Sequence, residues 1–167
     1  MLTIEKSYKI LNLVNKYHNI NNNDIIIIKG VQFSFYNDNL GSVITIKEKF
    51  KKDSWTNFMY DYLKNNLNLD SNKYMFYDFL EVFNLLHEIG HSLQNNKDKY
   101  DNEYKIYKSK TYKNNKEAYT IYRNLTLEKD ADLFASTFIK DHKFEIWSIM
   151  NNISVNEAIE EYNFWNI

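Results

Sequence analysis

The run Phe79-Leu80-Glu81-Val82-Phe83-Asn84-Leu85-Leu86-His87-Glu88-Ile89-Gly90-His91-Ser92-Leu93 decides how the rest of the chain is read. It lies in a helical pattern from about Lys73 to Asn95. Advancing about 100° per residue from His87 puts Leu80, Asn84, His87 and His91 in one narrow column. Phe79, Val82, Phe83, Leu86, Ile89, Gly90 and Leu93 fill an adjoining apolar face, and Glu81 and Glu88 share the other flank. Two imidazoles four residues apart on a helix can hold one metal ion. A carboxylate beside them, off the ligand column, is placed to take a proton from a metal-activated water instead of binding the metal. Gly90, on the core-facing side, leaves room for another element to approach.

Upstream, Thr3 to His18 spaces Ile10, Leu11, Leu13, Val14 and Tyr17 as one face of a helix, which the cluster Asn21-Asn22-Asn23-Asp24 stops. Ile25 to Lys29, Val31 to Tyr36 and Ser42 to Lys47 read as strands, with turn chemistry at Asn37-Asp38-Asn39-Leu40-Gly41. The simplest arrangement is a small, mostly antiparallel sheet. Ser42 to Lys47, which precedes the helical half, is the strand whose edge is expected to take an extended peptide. From Ser54 the period turns helical, with Trp55, Phe58, Met59, Tyr62 and Leu63 on one face. Asn96 to Lys116 is lysine-rich, tyrosine-dotted and without clear period, and reads as a loop or lid. Glu117 to Arg123 reads as a short helix, Thr126 to about His142 as a longer one, and Ser154 to Trp165 as a final one opened by a capping box at Ser154 and Glu157.

The chain has 167 residues, 21 basic and 22 acidic side chains, no cysteine and no proline. That length suits one domain, residues 1–167, with one modest core. A net charge of −1 lacks the basic excess needed to neutralise phosphates, so nucleic acid is not the expected partner. The longest aliphatic stretch is Ile25 to Ile28, far short of the roughly 20 residues that cross a bilayer. The N-terminus has no signal-peptide core. A soluble cytoplasmic protein without membrane contact is the expectation. Without cysteine, any metal is held by histidine and carboxylate, and the only histidines are His18, His87, His91 and His142.

A catalytic zinc takes three protein ligands and keeps one position open. Downstream donors are Glu117, Glu128, Asp130, Asp132, His142 and Glu145. The segment from Thr126 to Ala135 reads as helix, capped by Thr126, with Ala131, Phe134, Ala135 and Phe138 on its apolar face. Glu128 and Asp132, four apart, share a face: one carboxylate for the metal, the other to bond a ligand histidine and fix its tautomer. Asp130 projects elsewhere. In an unbroken helix His142 lies about 21 Å along the axis from Glu128, too far to share its ion unless the helix bends. His18 reads as an end-of-helix surface residue. Tyr119, Tyr122 and Arg123, just before this helix, are candidate donors to an oxyanion.

His87-Glu88-Ile89-Gly90-His91 followed by Glu128-Lys129-Asp130-Ala131-Asp132-Leu133-Phe134-Ala135 resembles the ImmA/IrrE-type zinc metallopeptidases, which pair an HExxH helix with a later helix of the form E-x-x-A-(N/D)-x-F-A. The order of helix, small sheet, HExxH helix and Glu helix is similar too, so the likeness spans about residues 25 to 140. The Met-Pro often found after the second motif is absent, and no DNA-binding module is recognisable. The resemblance implies a zincin-like α+β fold, with the small sheet packed on a helical half that carries the HExxH helix. It implies Zn2+ held by His87, His91 and Glu128 as in gluzincins, with Glu88 as general base and Asp132 at the position often filled by Asn or Asp. The expected activity is zinc-dependent hydrolysis of peptide bonds in a protein or peptide substrate, such as a regulatory protein, with zinc-activated water as the nucleophile. The alternatives are a catalytically silent zinc-binding regulatory or protein-interaction module, and a helical domain in which the HExxH is fortuitous.

Overall fold

The computed structural model describes residues 1–18, 20, 25–38, 41–47, 73–94 and 97–165. The helix expected from Ser54, the Asn21 to Asp24 cluster and the centre of the Asn37 to Gly41 turn lie outside the described residues. The architecture is α+β and mostly helical. In chain order come α1 (Ile4–His18), β1 (Ile25–Gly30), β2 (Ser34–Asp38), β3 (Gly41–Lys47), α2 (Lys73–Ser92), α3 (Lys97–Ser109), α4 (Asn115–Arg123), α5 (Thr126–Asn151) and α6 (Val155–Trp165).

Helix α1 starts where Thr3 Oγ1 accepts the Lys6 amide at 3.2 Å, and it buries Ile10, Leu11, Leu13 and Val14. The strand order is β1-β3-β2. β2 and β3 pair antiparallel, with Phe35 opposite Ile44, whereas β1 and β3 pair parallel, with Ile27 opposite Ile44. The sheet is therefore mixed, not mostly antiparallel. The alternation of Ile25 and Ile27 with Ile44 and Ile46 assigns these side chains to the buried face, but alternation determines faces and not neighbours. Val31 to Phe33 reaches about 10 Å, enough to step across one strand, so β3 lies between β1 and β2 and is paired along both edges. This corrects the expectation for Ser42 to Lys47: β3 has no free edge, and the edge that borders the helical half is that of β2. Gly30 ends β1 where a Cβ would meet Thr45 Cγ2 at 2.2 Å.

Helix α2 packs against α5 and the sheet, with α1 beside it. Phe79, Leu80, Val82, Phe83, Leu85, Leu86 and Ile89 are all buried, so the helix is enclosed around its circumference and not along one face. Gly90 faces α5, where a Cβ would come 3.2 Å from Ala131 Cα and 3.2 Å from Phe134 Cδ1. Small residues at 90, 131 and 135 thus let the two helices that carry the candidate ligands approach closely.

The segment read as a loop or lid is largely helix α3. Its tyrosines at 100, 104 and 107 do carry a helical spacing, and they pack outward from the core: Tyr104 stacks on Tyr107, and Tyr107 lies against Tyr112 and Tyr122. Tyr100 donates to Asp130 Oδ2 at 2.9 Å. Helix α4 is capped by Asn114, whose side chain accepts the Glu117 amide at 2.9 Å. Thr126 is not the cap of α5. The N-cap is Leu125, which offers no side-chain acceptor, and Glu103 of α3 takes both the Thr126 amide (2.7 Å) and its hydroxyl (2.6 Å). Helix α5 runs past His142, with a kink there (φ −123°, ψ 24°), to Asn151 and ends on Asn152 in the left-handed region (φ 56°). The capping box at Ser154 and Glu157 forms, with bonds of 2.7 and 3.2 Å. No helix among the described residues is long and apolar enough to cross a membrane.

Candidate metal centre

His87 and His91, one turn apart on α2, meet Glu128 from the first turn of α5, and one ligand atom of each lies within 4.8 Å of the others. His87 Nε2 is 3.0 Å from His91 Nε2 and 3.3 Å from Glu128 Oε2, and His91 Nε2 is 3.5 Å from Glu128 Oε1. Bonds of about 2.0–2.1 Å to zinc place tetrahedral ligand atoms about 3.3 Å apart, so the separations fit one ion.

Hydrogen bonding points to the same conclusion. His87 Nδ1 is 2.9 Å from Asp132 Oδ1. His91 Nδ1 is 3.0 Å from Gln94 Oε1, and the Gln94 amide is oriented by donating to Leu127 O at 2.7 Å. Oxygen acceptors at both Nδ1 positions hold the ring protons there when the rings are neutral, the form that turns both Nε2 lone pairs toward one ion beside a carboxylate. Glu128 Oε1 is buried and has no hydrogen-bond partner. Three converging acceptors in a buried place call for a cation. The donor set, two imidazoles and one carboxylate, suits zinc, while nickel, copper and iron also accept imidazole.

The ionisation states follow. Burial disfavours the His87 imidazolium, yet hydrogen bonds to Asp132 and Glu128 outweigh it and raise its pKa to about 9 in the metal-free chain. Burial and the His87 charge lower that of His91. Burial opposes the Glu128 carboxylate, but His87 and His91 hold its pKa down at about 2. Glu88 is raised to about 7, mainly by burial, with the Phe35 amide of β2 bonded to its carboxylate.

The site opens into a cleft of about 960 Å³, walled by Phe33 just before β2 and Phe35 within it, Tyr100 and Tyr104 of α3, and Tyr119 and Tyr122 of α4. Glu88 lines this cleft. Arg123 also lines it, but its guanidinium is engaged with Glu128 Oε2 at 2.8 Å and with Asp132 Oδ1. The Tyr122 hydroxyl bonds Glu128, and burial together with that carboxylate raises its pKa. His142 sits at the bend of α5 with its ring 4.1 Å from that of Tyr17 and 4.4 Å from that of Phe138. The bend brings it into this aromatic group and not to the His87 cluster. His18 rests edge-on against Phe134, and Asp130 bonds Tyr100.

Sequence reasoning missed Gln94, although its place three residues after His91, just past the end of α2, was a usable signal. It also missed the pairing of Arg123 with both carboxylates, which no local spacing marks.

The chain matches no known family model, no curated protein and no solved structure. The likeness to ImmA/IrrE-type peptidases therefore rests on the two motifs and the order of elements alone.

Proposed function

We propose that this chain is a zinc-dependent endopeptidase that works in the cytoplasm on an extended segment of a protein substrate, such as a regulatory protein. One juxtaposition carries the reading: Glu88 stands in the cleft beside the three convergent acceptors His87 Nε2, His91 Nε2 and Glu128, and is bonded to the main chain of the edge strand β2. A zinc ion held by those three residues would supply Lewis acidity, lowering the pKa of water and polarising the scissile carbonyl.

The chain's own groups do the rest. Glu88, whose pKa of about 7 poises it near neutrality, accepts the proton of the attacking water and returns it to the leaving nitrogen. The Phe35 amide orients its carboxylate. Asp132 and Gln94 hold the two imidazoles with Nε2 inward. The outer edge of β2, which pairs with no other strand among the described residues, offers main-chain donors and acceptors to an extended peptide beside the Phe35 amide that Glu88 takes. Tyr119, Tyr122 and Arg123 line the same cleft and are the candidate donors to the oxyanion.

The test compares wild type, Glu88→Gln and Glu128→Ala for zinc content and for cleavage of a quenched-fluorescent peptide library. Glu88→Gln is expected to keep about one zinc per chain and lose at least about a hundredfold in cleavage rate. Glu128→Ala is expected to lose zinc. Undiminished cleavage by Glu88→Gln overturns the assignment, and a zinc-loaded wild type that cleaves nothing favours the silent binding module.

A further inference from the structure

The mechanism above gives Arg123 no settled task, yet few side chains in the molecule are as constrained. It is the last residue of α4, separated from the start of α5 by two residues, and is buried. Nη1 donates to Glu128 Oε2 at 2.8 Å, and Nη2 donates to Asp132 Oδ1. That same Asp132 oxygen is the partner of His87 Nδ1. One guanidinium therefore touches the carboxylate that faces the ion position and the carboxylate that orients a histidine.

The charge arrangement explains why such a group is needed. Glu128 and Asp132 lie one turn apart on α5, at 0% and 1% exposure. Two unsolvated carboxylates side by side repel each other, and neither is stable without a positive partner. A planar fork can serve two carboxylates at once, which a point-charge ammonium cannot. The two oxygens of Glu128 are also made unequal. Oε2 accepts from Arg123 and lies 3.3 Å from His87 Nε2, whereas Oε1 is buried without a hydrogen-bond partner and faces His91 Nε2.

We propose that Arg123 is the positioning residue of the metal centre: it clamps Glu128 and Asp132 together before a cation enters and, by engaging Oε2, turns Glu128 to meet that cation through Oε1. The inference rests on reading His87, His91 and Glu128 as a metal site, but not on peptidase activity. It also gives Arg123 a task other than donating to an oxyanion, since leaving the clamp would strand two buried carboxylates.

The test measures Zn2+ affinity by competition with a chromophoric chelator, and the visible spectrum of the Co2+-loaded protein, in wild type, Arg123→Gln and Arg123→Lys. Arg123→Gln is expected to bind Zn2+ about 10- to 100-fold more weakly. Its Co2+ absorption should also weaken, because a freed Oε2 adds a ligand, a change that loss of packing alone would not produce. Arg123→Lys keeps the charge, and with it the fold if the glutamine variant does not fold, but loses the fork, and its affinity should drop about tenfold. Wild-type affinity and spectrum in both variants overturn the proposal. A wild type that binds neither ion overturns the centre and the clamp together. Zinc binding that weakens in Arg123→Gln, in a protein that cleaves no peptide, supports the clamp while the peptidase reading fails.

Discussion

His87 shows how one residue ties the site to the stability of the whole. Its imidazolium is favoured in the folded, metal-free chain, with a pKa raised from 6.5 to about 9. Its contribution to stability is then fully present below about pH 6.5 and is lost as pH rises through about 9. Glu88, raised from 4.5 to about 7, acts in the same sense over a lower window, because the folded state prefers its neutral form. Urea unfolding of the chelated protein should therefore show stability falling from about pH 5 to about pH 9, and saturating zinc, which displaces the His87 proton, should flatten the upper part of the fall. In the loaded protein, cleavage should lose rate on the acid side, as Glu88 takes up a proton at or below about pH 7. His87, Glu88 and His91 were legible in sequence because helical periodicity alone sets their relative directions. Arg123 was not, since what it bonds is decided by how α4 and α5 meet, whereas Gln94 was missed despite its local bond to His91.

At the scale of elements, α3 is the clearest departure from the sequence reading. Its lysines hide the tyrosine stripe at 100, 104 and 107, because the stripe faces a neighbouring wall of aromatic side chains and not a conventional apolar core. The helix also ends the search for the cap of α5. The Thr126 amide and hydroxyl both go to Glu103, twenty-three residues upstream. Glu103→Ala is expected to destabilise the protein by about 1–2 kcal/mol, the range for losing a cap, measured by urea unfolding. Because Glu128 is in the first turn of α5, the same substitution should also weaken zinc binding, whereas Thr126→Ala, which keeps the amide bond to Glu103, should do so less. The sheet teaches a similar lesson. Three strands were readable from alternation, but the second lies at Ser34–Asp38 and not at Val31 to Tyr36, with Val31 exposed in the connection, and the central place of β3 was not readable, since a three-residue connection permits either neighbour.

For the molecule as a whole, the core and the site are separable. Leu80, Leu86, Ile44, Ile46 and Ile146 are buried independently of the metal position, and Arg123 together with the His87 imidazolium balances the Glu128 and Asp132 carboxylates without an ion. Chelation should therefore leave the far-ultraviolet circular dichroism unchanged while lowering the thermal midpoint, and zinc at about 1,000 times its Kd should restore about 4 kcal/mol. Collapse of the helical signal on chelation would contradict that separation. The sequence by itself determined the local content: the HExxH helix, the later helix with Glu128 and Asp132 on one face, the three strands, the capping box at Ser154 and the confinement of metal ligands to histidine and carboxylate. These follow from periodicity, capping and composition, which act over a few residues. Only the tertiary structure decided the mixed sheet, the edge of β2 at the cleft, the cap that α3 lends to α5 and the clamp of Arg123 on two carboxylates. Each of those depends on contacts between distant segments, whose partners are chosen by packing and charge neutralisation and leave no periodic trace in the chain.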